Sequence, residues 1–329
     1  LYRRRPFSTK QMKGSSINLA SLDIGSHTAR LLVSECRQDT GALRPLLRRR
    51  AYIRLAKDFE IDNAKNIKPE AMERTLRVLD DFIRSARESK ASAILAVATG
   101  LVREADNKDD FLSAIERKTG VRVRVVSGDE EAFLTGLGVV RALHLGRESF
   151  AVFDLGGGST EFVVEEGAER KLFSLPLGAA ICTERYLDSD PPEDKQIKAF
   201  ESEVSETLQR AFEPLEMGGK LLVGTGGTVT ALAAIIHRIR VDDISPERMD
   251  GLALTLEMLE ALFQKMKRMS TRERIELLGI DQGRADVVVG GCLIVISLMR
   301  FLGAVRLTVS VSDLLEGILI DYVSKHLLA

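Results

Sequence analysis

At 329 residues, with 45% hydrophobic and 29% charged side chains, the sequence has the make-up of a soluble globular protein with room for two domains. A formal net charge of −1 excludes capture of nucleic acid or a membrane surface by bulk electrostatics, so a polyanion would have to be met by local basic groups. Cys36, Cys182 and Cys292 are odd in number and widely spaced, which excludes a disulfide frame or zinc site and fits reduced thiols in a cytoplasmic protein.

In chain order, residues 1–16 carry Arg3, Arg4, Arg5, Lys10 and Lys13 and read as a basic, disordered tail. An apolar strand then ends at Asp23, a turn of Gly25, Ser26, His27 and Thr28 follows, and a second apolar strand runs away. Further strands are expected near 45–55, at 93–98 and at 121–125, with helices opening at Pro69 and near 109–119. A helix over about 130–143 should link two lobes. Residues 150–164 repeat the first device: an apolar run closes on Asp154, Gly156, Gly157, Gly158, Ser159 and Thr160 form the turn, and Glu161 starts the return strand. A helix near 195–212 leads to a third glycine turn, Gly224, Thr225, Gly226, Gly227 and Thr228. Helices near 229–238, 255–268 and 284–301, a strand at 306–311 and a helix at 313–327 complete an α/β pattern. The apolar run 287–299 is too short to span a membrane and is interrupted by Gly290-Gly291.

Glycines without a Cβ let backbone N–H groups approach a ligand, and the Ser and Thr hydroxyls add donors, a combination suited to phosphate oxygens. One such turn alone would be an ordinary hairpin. Two Asp-headed hairpins followed by a Gly-Thr-Gly-Gly-Thr turn resemble the actin/Hsp70/sugar-kinase fold, which implies two actin-like (ribonuclease H-like) domains around a cleft. We therefore expect domain I at 17–141, domain II at 142–308, and a segment 309–329 that packs back on domain I.

The motifs, in order, resemble the exopolyphosphatase / guanosine pentaphosphate phosphohydrolase family. They are the Asp23 loop, Ala98-Thr99 with Arg103 and Asn107, Ser127 to Ala132, Asp154 to Glu161, Ser174 to Gly178, Gly224 to Thr228, and Gly283-Arg284-Ala285-Asp286. The chain stops before the helical, HD-type domain of longer members could begin and looks like the two-domain form. The resemblance implies hydrolysis of terminal phosphates with Glu131 as general base, Arg103 as a phosphate contact, and Mg²⁺ held through waters by Asp23 and Asp154, with Glu161 in the same network. Neighbouring helix residues point about 100° apart, so of Glu130 and Glu131 only one can face the cleft. His27 stands where the family commonly carries Asn, and Leu315 where it usually carries Arg. His144, His237 and His326 read as structural.

The leading expectation is a Mg²⁺-dependent exopolyphosphatase. The same chemistry on guanosine pentaphosphate, an ATP-dependent kinase of the same fold, and a weakly catalytic alarmone or polyphosphate sensor are the alternatives. Arg103, Arg284 and the cluster Lys265, Lys267 and Arg268 are the candidate basic groups for a polyanion. The apolar last helix makes a homodimer an expectation.

Overall fold

In a computed structural model of the chain, the described residues are 16–57, 59–61, 64–146, 149–166, 169–212 and 220–328. Residues 1–15 of the expected tail lie outside them, and Ser16 already opens the first strand. No helix of the described residues is long and apolar enough to cross a membrane.

The first half contributes β1 (Ser16–Ile24), β2 (Thr28–Arg37), β3 (Leu43–Tyr52), the short hairpin β4 (Glu60–Ile61) and β5 (Ala64–Lys65), β6 (Ala91–Ala98) and β7 (Val123–Val125). Helices α1 (Pro69–Glu88), α2 (Leu101–Glu104) and α3 (Lys108–Thr119) make the connections, and α4 (Gly128–Ala142) leads out. The second half contributes β8 (Phe150–Leu155), β9 (Thr160–Glu166), β10 (Glu169–Leu175), β11 (Leu221–Thr225), β12 (Ala253–Thr255) and β13 (Arg306–Val309). Its helices are α5 (Ala179–Tyr186), α6 (Asp194–Phe212), α7 (Gly226–Ile236), α8 (Pro246–Met249), α9 (Leu256–Met266), α10 (Thr271–Leu278), α11 (Val288–Phe301) and α12 (Leu314–His326).

The sheets share one plan. Their orders are β3-β2-β1-β6-β7 and β10-β9-β8-β11-β13-β12. Each begins as an antiparallel three-strand meander, and its first strand then pairs in parallel with a later one, β1 with β6 and β8 with β11. This duplicated order, with a cleft between the sheets, is the actin-like α/β fold. The apolar run of β6 becomes buried along Leu95 to Ala98, as a central parallel strand requires. Pro45 is tolerated in β3 because β3 is an edge strand and its register shifts beside Ser34.

Several elements differ from the sequence pattern. The helix expected from residue 284 begins at Val288, because residues 281–287 form a turn that the active cleft uses. β10, β12, α5 and α10 were not anticipated. β10 reads Glu-Arg-Lys before any apolar residue, and it becomes a strand by pairing with β9.

Two helices join the halves. α4 packs against β8, β9 and β10, while α12 returns to cover β1 and β2, with Leu314, Leu315, Ile318 and Leu319 in one core with Leu19, Leu32, Leu95 and Val97. Where α4 and α12 cross, two glycines let the backbones touch: a methyl at Gly317 would overlap the Leu134 carbonyl, and one at Gly138 would overlap that of Asp313. Leu315 is buried in this core, so the arginine expected there by family pattern is replaced by packing. Gly317→Ala should therefore destabilise the protein by about 1–3 kcal/mol through overpacking. Urea unfolding measures it, and an unchanged midpoint would mean that the helices separate freely.

Candidate active site

The site is built by the same local device used twice. β1 and β8 end in Asp23 and Asp154, and each hairpin turn closes on one backbone bond, Gly25 N–H to Thr28 O at 3.0 Å and Gly156 N–H to Ser159 O at 3.0 Å. The turns then face each other across the cleft. A Cβ at Gly158 would collide with the Ser26 hydroxyl, and one at Gly157 would lie 2.7 Å from the His27 Cβ. The glycines are thus required by the approach of one turn to the other. Gly226, at φ +92°, brings the third turn against Asp154.

The cleft is lined by Gly25, Ser26, His27 and Thr28 of the first turn and Gly156, Gly157, Gly158 and Ser159 of the second. Gly226, Gly227 and Thr228 of the third turn complete the loops, and Asp23, Glu131, Asp154, Glu161, Arg30 and Arg284 supply the charges. Of the two adjacent glutamates, Glu131 faces this cleft and is buried, whereas Glu130 is exposed and paired with Arg124. The helix start is fixed by Ser127, whose hydroxyl accepts from the Glu130 N–H at 3.1 Å.

Four expected residues do not line the cavity. Arg103 instead donates to Glu131 Oε2 at 3.2 Å and to Val126 O at 3.1 Å, one step behind the cleft. The Thr160 hydroxyl donates to the Leu177 carbonyl, and Gly224 and Thr225 are buried in β11, Gly224 against Phe153 and Leu307. His27 does line the cleft, but its Nε2 bonds to the Gly283 carbonyl at 2.7 Å; a carbonyl only accepts, so Nε2 carries a proton.

Two participants were not foreseen. Arg30 bridges Asp23, at 2.9 Å, and Asp313, the N-cap of α12. Its position opposite Asp23 in the β1–β2 register was readable once the turn length was known. Asp313 lies at the far end of the chain and only the fold brings it here. Arg284, expected among the basic groups, is half-buried with its guanidinium on the Gly227 carbonyl.

Too many carboxyl groups share this volume for all to be charged. Burial pushes Asp154 up to about 8, with Asp313 adding to it against Arg30, and pushes Glu161 up to about 7 despite hydrogen bonds from Ser159 and Ser174. Glu131 is raised well above the usual carboxylate range by burial and by Glu161 and Asp23, which outweigh Arg103. Asp23 is raised by burial, against the pull of Arg30. Burial and the nearby Arg50 lower Arg284 to about 10. Asp23 Oδ1 is buried without a hydrogen-bond partner. Among the described residues no three His, Cys, Asp or Glu side chains converge as a metal cage. Hard oxygen donors, one of them orphaned, that do not converge are a set that fits a hydrated divalent cation better than a dehydrated one.

An actin-like fold whose cleft combines phosphate-type turns with a buried carboxylate at the head of α4 defines a phosphoryl-processing enzyme. The model of the Ppx/GppA phosphatase family matches residues 34–326, so the chain belongs to that family, and with it to the phosphatase hydrolases. It is 33% identical to exopolyphosphatase 2 of Mycobacterium tuberculosis over 316 residues, covering 91% of this chain and 97% of that one. The crystal structure of the Aquifex aeolicus member of the Ppx/GppA family is 29% identical with a TM-score of 0.78, covering 94% and 99% of the two chains. An exopolyphosphatase from Cytophaga hutchinsonii is 25% identical with a TM-score of 0.84, covering 94% and 98%.

The raised carboxyls link stability to pH. Because the folded state holds protons that the unfolded chain releases near pH 4, their contribution is present at low pH and is lost as pH rises through about 7 for Glu161 and about 8 for Asp154. In EDTA the melting temperature should fall between about pH 5 and about pH 8.5, and Asp154→Asn should flatten that fall. A midpoint that rises over this range would contradict the buried, protonated state.

Proposed function

We propose that the chain is a Mg²⁺-dependent exopolyphosphatase, hydrolysing the terminal phosphate of inorganic polyphosphate. The observation that carries this reading is Glu131, a buried carboxylate on a helix start that looks into a cleft between two phosphate-type turns. N–H groups of the turns and the hydroxyls of Ser26, Thr28, Ser159 and Thr228 receive the terminal phosphoryl oxygens, and Arg284 offsets their charge. A water on the Glu131 side attacks phosphorus, the bond to the bridging oxygen breaks, and Glu131 takes the water's proton. Arg103 holds the Glu131 carboxylate in place and favours its charged form. Asp23, Asp154 and Glu161 would hold Mg²⁺ through its waters, and the ion, when bound, supplies positive charge to the phosphate chain and favours the ionised carboxylates. Relatives from Mycobacterium tuberculosis and Mycobacterium leprae that are named exopolyphosphatases support inorganic polyphosphate as substrate.

A second reading is favoured by one feature. Beyond Arg284 and Ala231 the cleft continues into a small pocket lined by Ala234, Ile235, Ile239 and Ile244, with Arg50 at its edge. Such an apolar pocket next to cationic groups suits the nucleoside of guanosine pentaphosphate. Phosphate release from long polyphosphate and from guanosine pentaphosphate, each with Mg²⁺ and with EDTA, separates the two. Release from neither overturns both.

Glu131→Gln should lower turnover by about 10²–10⁴-fold while leaving the fold intact, because the amide cannot take the proton. Glu130→Gln, exposed and turned away, is the matched control and should retain activity. Equal activity in both variants would remove Glu131 from the chemistry.

A further inference from the structure

Apart from the α4–α12 crossing, a second set of contacts ties the halves together, and all of it converges on residues 281–286. Arg50 of β3 pairs with Asp281 at 2.9 Å, and Arg54 pairs with Asp286 at 3.2 Å. The Tyr52 ring lies on Gly283 so closely that a Cβ there would overlap it, and His27 donates to the Gly283 carbonyl at 2.7 Å. Tyr52 is itself held between the Arg50 guanidinium, 5.4 Å from its ring centre, and the edge of His27.

The gripped segment is a tight turn with one outstanding member. Asp281 shapes it from within: its Oδ1 accepts from the Gly283 N–H at 2.9 Å and its carbonyl from the Arg284 N–H at 2.8 Å. Arg274, 2% exposed, fixes the back of the turn through the Ala285 carbonyl at 2.6 Å. Arg284 then projects from the turn to the Gly227 carbonyl in the cleft. The aim of this second-half arginine is therefore determined partly by an edge strand of the first half.

We propose that Arg50, acting through Asp281 with Tyr52 packed between the halves, is a positioning residue that sets Arg284 for the phosphate chain. This rests on the reading of the cleft as a phosphate-chain site. Arg50 would then govern grip on the substrate without touching the reacting phosphoryl. The carboxylate it holds is the one that folds the Arg284 turn, so loss of either partner frees the same element.

The test is a double-mutant cycle on the full chain, with inorganic tripolyphosphate as substrate and Mg²⁺ present. Arg50→Gln and Asp281→Asn should each raise KM about tenfold with kcat nearly unchanged, the double variant should be no worse than either single one, and Arg50→Lys should stay near wild type. Amide exchange over 281–287 should quicken in both single variants. Unchanged KM and exchange would overturn the proposal. So would multiplicative losses in the double variant, because Arg50 would then be acting independently of Asp281. A wild-type chain that releases no phosphate from tripolyphosphate would sink the substrate reading instead, and the exchange rates alone would then decide the clasp.

Discussion

The guanidinium of Arg30 lies between the carboxylate near the end of β1 and the carboxylate that caps α12, and through it the first glycine turn and the last helix share one charge. A half-buried cation is held best when paired, and here Asp23 and Asp313, with Asp154 nearby, keep Arg30 in its charged form. Asp313 also begins α12 by accepting from Leu315 N–H at 3.1 Å, while the Glu316 side chain accepts from the Asp313 N–H at 3.0 Å. Glu316 in turn pairs with Arg48 of β3. One run of alternating charges thus fastens α12 to the sheet that carries the first turn.

On the cleft side the balance is different. Asp23, Glu131, Asp154 and Glu161 are all buried, and the cations facing them do not neutralise all four. Without further positive charge such a cluster keeps protons, and hydroxyls such as Ser174, 2.8 Å from Glu161, only temper the cost. The glycine backbones allow the two turns to come together at the wall of this space, Gly157 against His27 and Gly158 against the Ser26 hydroxyl.

Much of this was legible in the sequence because it is written in local runs. The two Asp-headed hairpins, the third glycine turn and the helix carrying Glu131 each occupy one contiguous stretch; helix geometry said that only one of Glu130 and Glu131 could face the cleft, and the family resemblance said which. Arg30 was one cross-strand step from Asp23 and needed a register. Asp313 and Arg284 were not placeable against the turns, since their neighbours are brought together by long-range topology. Arg103 was legible as a residue beside the cleft, but its hydrogen bond to Glu131 depends on how α4 packs and could not be read from the sequence. β10 and α10 carry mixed polar patterns whose state is fixed by pairing and packing.

The crossing of α4 and α12 has a mechanical meaning. Carbonyl oxygens resting on Gly138 and Gly317 bring the two backbones into direct contact, and Leu134 beside them packs into one core with Leu315 and Ile318, so the two helices are locked at this point. Glu131 sits seven residues before Gly138 on the same rigid rod, roughly 10 Å along its axis. A turn of about 10° at that crossing would sweep its carboxylate by roughly 2 Å, so the lock between the two backbones is also what holds the Glu131 side chain at its place in the cleft wall.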